Sequence, residues 1–181
     1  MKHPELTDVF VAAFDRLEPY IEKKYGIPVR IRDVPNPFTG DLDGAEIHVD
    51  YDVDPETALF IIAHLFGHTV QWNLSSRART LGLTPVTPPV AEEVLKELLQ
   101  YEHEAAQYSI TLFHEAGVWE LDRWLTDFSA CDLAYLSHFY RTGEKREFFS
   151  FWTAGTPLLT PLPIPLFFPE KWLSRWDGVV I

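Results

Sequence analysis

The segment Ile61-Ile62-Ala63-His64-Leu65-Phe66-Gly67-His68 sets two imidazoles four residues apart in an otherwise apolar run. On a helix such residues lie one turn apart on the same face. Two imidazoles placed so can converge on one ion. Zinc takes four ligands in a tetrahedron, and a catalytic zinc keeps one position open. A third protein ligand must then come from elsewhere in the chain. The plain alternative is a pair of hydrogen-bonded core histidines. Buried imidazoles are costly without partners, however, and two on one face of an apolar helix call for a shared reason. Gly67 points the same way. A glycine inside a helix costs about 0.8–1 kcal/mol relative to alanine, which is tolerated where another segment must approach closely.

The elements that would carry this pair are legible on either side. Leu6, Val9, Phe10, Ala13, Phe14, Leu17 and Ile21 recur at helical spacing, so residues 5–25 read as an amphipathic helix containing Pro19. Gly26 and Pro28 stop it. Val29 and Ile31 alternate with arginines, and Ala45, Ile47, Val49 and Tyr51 alternate with Glu46, His48 and Asp50. Both read as strands, with turns at Pro35-Asn36-Pro37 and Gly40-Asp41. The polar face of the second strand reads as solvated, with the strand near the edge of a cleft where an extended peptide could pair. Asp54-Pro55-Glu56 is a helix start, with an Asp cap, Pro at the first position and an early acid. The helix from Pro55 to about Trp72 is apolar nearly all round, hence central. A polar, proline-rich loop is expected over 74–89. A long helix over 90–116 follows, with Val94, Leu98, Tyr101, Ala105, Tyr108 and Leu112 as its apolar stripe. One or two helices fill 118–141. The aromatic, proline-rich remainder reads as an arm wrapped on the domain, with a short helical piece near Lys171–Trp176.

Ala45-Glu46-Ile47-His48-Val49-Asp50, Asp54-Pro55-Glu56, Phe60 to His68, and Glu102-His103-Glu104-Ala105-Ala106-Gln107-Tyr108 together resemble the ImmA/IrrE-type zinc metallopeptidases, a zincin family. The resemblance spans about residues 5–115. The length suits a single domain over residues 1–181, and the resemblance implies that it is α+β and zincin-like, with a short sheet, packed helices and the metal site between two helices. Residues 118–181 would form a helical, then aromatic and proline-rich, extension. It implies zinc as the cofactor, held by His64, His68 and Glu104. Iron, manganese or nickel would also accept such a ligand set.

The pattern breaks at Leu65, where the family carries the glutamate that moves protons for the attacking water. Leucine cannot do this, and general acid–base help is worth about 10²–10⁴-fold in rate. Glu97 and Tyr101 share a helical face with Glu104 and are the nearest substitutes. Glu102 and His103 point away from Glu104 by roughly 160° and 100° on an ideal wheel. Solvation explains Glu97 more simply, and packing explains Tyr101. Trp119, Trp124, Trp152, Trp172 and Trp176 are explained either as a binding surface or, more simply, by packing of the arm.

Composition narrows the rest. A net charge of −12 without a basic cluster argues against direct nucleic-acid binding. One cysteine, Cys131, excludes an intrachain disulfide and a thiolate-rich metal site, and suits a reducing, cytoplasmic setting. No segment reads as a signal peptide or a membrane span. Three functions stay open. The first is a degenerate metallopeptidase that binds metal and serves as a regulatory or binding module for a protein or peptide. The second is a zinc hydrolase with an unusual acid/base. The third is a metal-free interaction domain. The oligomeric state is open, and the aromatic surplus is compatible with a dimer.

Overall fold

The structure is a computed structural model and describes residues 2–35 and 37–172. It is α+β, with five α-helices and a small mixed sheet. The helices are α1 (Thr7–Tyr25), α2 (Pro55–Leu74), α3 (Ser76–Leu83), α4 (Glu92–Glu115) and α5 (Asp122–Thr142). The strands are β1 (Val29–Arg32), β2 (Gly40–Leu42) and β3 (Ile47–Asp50), in the order β1-β3-β2. Among the described residues no helix is long and apolar enough to cross a membrane.

α1 buries Phe10, Ala13, Leu17 and Ile21, the one-sided stripe expected, and runs on through Pro19. It ends at Gly26, whose φ of 68° is left-handed and so suits glycine, with the Gly26 N–H on the Glu22 carbonyl. β3 pairs parallel with β1 and antiparallel with β2. It is therefore the centre of the sheet, not the cleft-edge strand expected. The edge facing the cavity is β2, three residues long, where the sequence reads as a turn. So short a strand shows no alternation to find.

α2 is the central helix. The Asp54 carboxylate caps it, accepting from the Glu56 and Thr57 N–H groups at 3.0 and 3.2 Å. It packs against α1, α3, α4, β2 and β3, which is why nearly every face of it is apolar. Glu56 is fully buried and accepts from Trp124 Nε1 at 3.0 Å and from the His3 N–H at 3.0 Å. One carboxylate thereby ties the N-terminus, α2 and α5 together. α3 lies inside the stretch expected to be loop. Its start is signalled by Ser75, whose hydroxyl accepts from the Ala78 N–H.

After α5 and a 3-10 turn at Phe148–Phe151, the chain runs without helix or strand from 156 to 172. It crosses α4, where the Leu162 carbonyl accepts from Thr111 Oγ1 at 2.7 Å, and reaches the end of α2 at Asn73. The wrapping arm is as expected. Its short helical piece is absent at Lys171 and Trp172, and residues 173–176 of that expectation, with Trp176, lie outside the described residues. Trp124 and Trp152 pack around Phe128, Trp172 lies over the Arg79 guanidinium, and Trp119 is exposed against His114.

Candidate metal centre

His64 and His68 stand on one face of α2, as their spacing requires. Their Nε2 atoms are 3.0 Å apart. Opposite them, α4 crosses at very short range. A Cβ on Gly67 would sit 2.3 Å from the Ala105 carbonyl oxygen, so only glycine permits this crossing. Ser109 Oγ donates to the Ala63 carbonyl across the same seam at 2.8 Å. The close approach expected at Gly67 is therefore real, and its partner is the helix that brings the carboxylate.

That carboxylate is Glu102. Its Oε2 lies 3.0 Å from His68 Nε2 and 3.3 Å from His64 Nε2. Among the described residues His64, His68 and Glu102 form the group of potential metal ligands whose donor atoms lie within reach of one another. Glu104, the carboxylate assigned by resemblance, is not in this group. It lies beside the site and accepts from Gln71 Nε2 at 2.6 Å. The helical wheel separates Glu102 from Glu104, and the side of α4 that meets the imidazoles is the one that carries Glu102. The face of α4 that meets α2 carries Leu98, Tyr101, Glu102 and Ala105, at i, i+3, i+4 and i+7. Glu102 is the acid inside that stripe, and this was the signal available.

Gln71 was missed in the sequence and orders the site. Its amide nitrogen donates to the Tyr101 carbonyl at 2.9 Å and to Glu104. Both are acceptors, so its amide oxygen must be the atom that faces His68 Nδ1, at 2.9 Å. Nδ1 then carries the proton, and Nε2 turns a lone pair toward Glu102. Two acceptors 3.0 Å apart need a positive centre between them, either a proton or a cation. Tyr101 stacks on the His68 ring at 4.4 Å, and Phe60 stacks on His64 at 5.2 Å, so both rings are held in place.

Neither substitute base named from the sequence is set up for that work. Glu97 forms a two-pronged pair with the exposed Arg77 at 2.6 Å, away from the cavity. Tyr101 is buried at the cavity wall, with its hydroxyl accepting from Trp72 Nε1 at 2.7 Å. Burial and the Glu102 charge raise that phenol well above its usual range. Leu65 lines the cavity against Gly40 of β2 and offers no acid or base there.

The imidazoles and Glu102 open into a cavity of about 250 Å³. Leu65, Leu98, Leu136, Phe139 and Tyr140 supply much of its apolar wall, and β2 forms one rim. Asp41, Glu102 and Asp132 also line it, and among the described residues no lysine or arginine does. Burial alone would raise the Glu102 carboxyl. When a proton sits between the imidazoles and Glu102, the His68 charge and hydrogen bonds from both histidines outweigh burial and hold it well below the usual carboxylate range. Asp132, on α5, goes the other way. Burial pushes it up to about 7, with Glu102 adding to the shift and His64 opposing it.

The donor set fits a divalent cation. Tetrahedral zinc with ligands at about 2.0–2.1 Å has ligand–ligand edges of about 3.3–3.4 Å. The three edges here are 3.0, 3.0 and 3.3 Å. Among the described residues neither Glu102 nor Asp132 pairs with a lysine or arginine, and buried carboxylates of that kind are otherwise costly. The chain matches no protein-family model, no curated protein and no solved structure, so the geometry of these residues carries the functional argument.

Proposed function

We propose that His64, His68 and Glu102 hold a divalent cation, zinc by default, and that the chain is a metal-dependent ligand-binding protein of zincin-like kind. The observation that carries this reading is the convergence of two Nε2 atoms and one carboxylate oxygen within 3.0–3.3 Å of one another, close to the edges of a zinc tetrahedron at about 3.3–3.4 Å. A bound ion would supply Lewis acidity at the floor of the cavity, polarising an oxygen of whatever occupies it. The chain's own residues do the rest. Gln71 fixes the His68 tautomer, Tyr101 and Phe60 hold the imidazole planes, and the apolar wall excludes water.

With Leu65 in place of the family's glutamate, the expected activity is recognition rather than peptide cleavage by the family's route. A regulatory or peptide-binding role follows from the resemblance alone, and the β2 edge beside the cavity is where an extended segment would pair. The test is elemental analysis of protein purified without chelator or metal-binding tag, beside a His64→Ala/His68→Ala variant. About one equivalent of metal in the parent and none in the variant is the expected result. Metal in neither protein after zinc is added back would rule the reading out.

A further inference from the structure

Asp132 is 3% exposed, lies on α5 outside every element the resemblance covers, and lines the same cavity as His64, His68 and Glu102. Among the described residues none donates a hydrogen bond to its carboxylate. Such a group is expensive to bury and normally finds a partner. Its position is fixed by packing. One turn earlier Phe128 stacks on Phe60 at 4.2 Å, and Phe60 stacks on His64. One and two turns later Leu136 and Tyr140 continue the cavity wall. Asp132 is thus the polar member of an apolar stripe aimed into the cavity.

It is not a fourth ligand as the side chains stand. Ligands of one ion at about 2.0–2.1 Å lie within about 4.2 Å of each other. The group of mutually close donor atoms comprises His64, His68 and Glu102 and leaves Asp132 out. Asp132 therefore faces whatever lies between itself and the three ligands.

Building on the metal centre proposed above, we infer that Asp132 is the hydrogen-bond acceptor for a ligand bound in this cavity. The ligand class selected is one that carries an ion-directed oxygen next to an O–H or N–H donor, as hydroxamic acids do. The oxygen goes to the ion held by His64, His68 and Glu102. The adjacent donor goes to an Asp132 carboxylate oxygen, giving that buried group its missing partner. A plain anion, with no donor, gains nothing from the Asp132 carboxylate and, above about pH 7, meets its charge. The site so equipped has an acceptor on α5 in place of the one that Leu65 removes from α2.

The experiment uses the full chain loaded with cobalt(II), whose visible absorption reports what occupies the ion. Wild type, Asp132→Leu and Asp132→Ala are each analysed for bound cobalt, then titrated at pH 8 with acetohydroxamic acid and with azide. The expected result is about one cobalt in all three. Acetohydroxamic acid should bind the variants at least about tenfold more weakly than wild type, the size of one lost hydrogen bond to a charged group. Azide should bind them as well as or better than wild type. Variants that keep cobalt and bind acetohydroxamic acid as wild type does would overturn this inference alone. Loss of cobalt in both variants, with wild type loaded, would make Asp132 a ligand and overturn it too. Wild type that takes up no cobalt would overturn the metal centre and this inference together.

Discussion

At the scale of single residues, the candidate site divides into groups that touch the shared centre and groups that aim them. Glu102 belongs to the first set, and Glu104 and Gln71 to the second. Glu102→Gln removes the only carboxylate in the converging group. Metal affinity should fall by at least about 100-fold, more than supporting residues usually contribute. Glu104→Gln should keep about one equivalent of metal. Gln71→Leu frees the His68 tautomer and should weaken binding by about 10–100-fold without abolishing it. Competition with a chromophoric chelator measures all three. Zinc lost from the Glu104 variant and kept by the Glu102 variant would restore the ligand set that the resemblance implied. The histidine pair was legible because i and i+4 residues on any helix share a face. The carboxylate was not, because Glu102 and Glu104 both follow the family's Glu-x-Glu spacing. The deciding fact is which side of α4 meets α2. Glu102 sits among Leu98, Tyr101 and Ala105, and that stripe was the better guide.

At the scale of elements, the site exists because α2 and α4 cross with almost no side chain between them. Gly67→Ala is the sharpest test of that crossing. Alanine would raise intrinsic helix propensity by up to about 1 kcal/mol. The added methyl, however, meets the Ala105 carbonyl at 2.3 Å, and backbone cannot rotate aside as a side chain would. Overpacking costs about 1–3 kcal/mol, so the clash wins. Thermal denaturation should show Tm lowered by several degrees, and metal uptake should fall with it, because Glu102 moves away from the imidazoles. An unchanged Tm with full metal binding would mean that the crossing is not rigid. The long helices were readable because each has a stripe or a cap: Asp54-Pro55 for α2, and the alternation of Leu98, Tyr101 and Ala105 for α4. β2 and α3 were not. Three residues carry no period, and Ser76–Leu83 is polar and buries no residue, so only the Ser75 cap marks it.

At the scale of the whole molecule, the arm is clasped at both ends by buried carboxylates. Asp127 on α5 accepts from the Gly155 N–H, the Thr156 N–H and Thr156 Oγ1 at 2.9, 2.9 and 2.6 Å. Asp43, in the β2–β3 turn, pairs with Lys171 Nζ at 2.9 Å and accepts from the Ala45 and Glu46 N–H groups. Burial alone would raise both carboxyls. Hydrogen bonds from Thr156 and Gly155, with Arg123 nearby, hold Asp127 below its usual range, and Lys171 with two backbone donors does so for Asp43. A carboxyl depressed in the folded state contributes stability above its unfolded value, about 3.9 for Asp, and loses it as pH falls through the folded value. Both clasps should therefore hold at neutral pH and weaken together below about pH 4. Hydrogen exchange of residues 156–172, corrected for intrinsic rates, should then rise before that of α2. Asp127→Asn should destabilise the protein at pH 7 by about 1.5–3 kcal/mol, the range for hydrogen bonds to a charged group. It should also flatten the acid limb of the stability curve, because one of the depressed carboxyls that must take up a proton is gone. An acid limb as steep in Asp127→Asn as in wild type would show that Asp127 does not set it. The arm would then be held at its α5 end by the packing of Leu159 and Leu162 on the core.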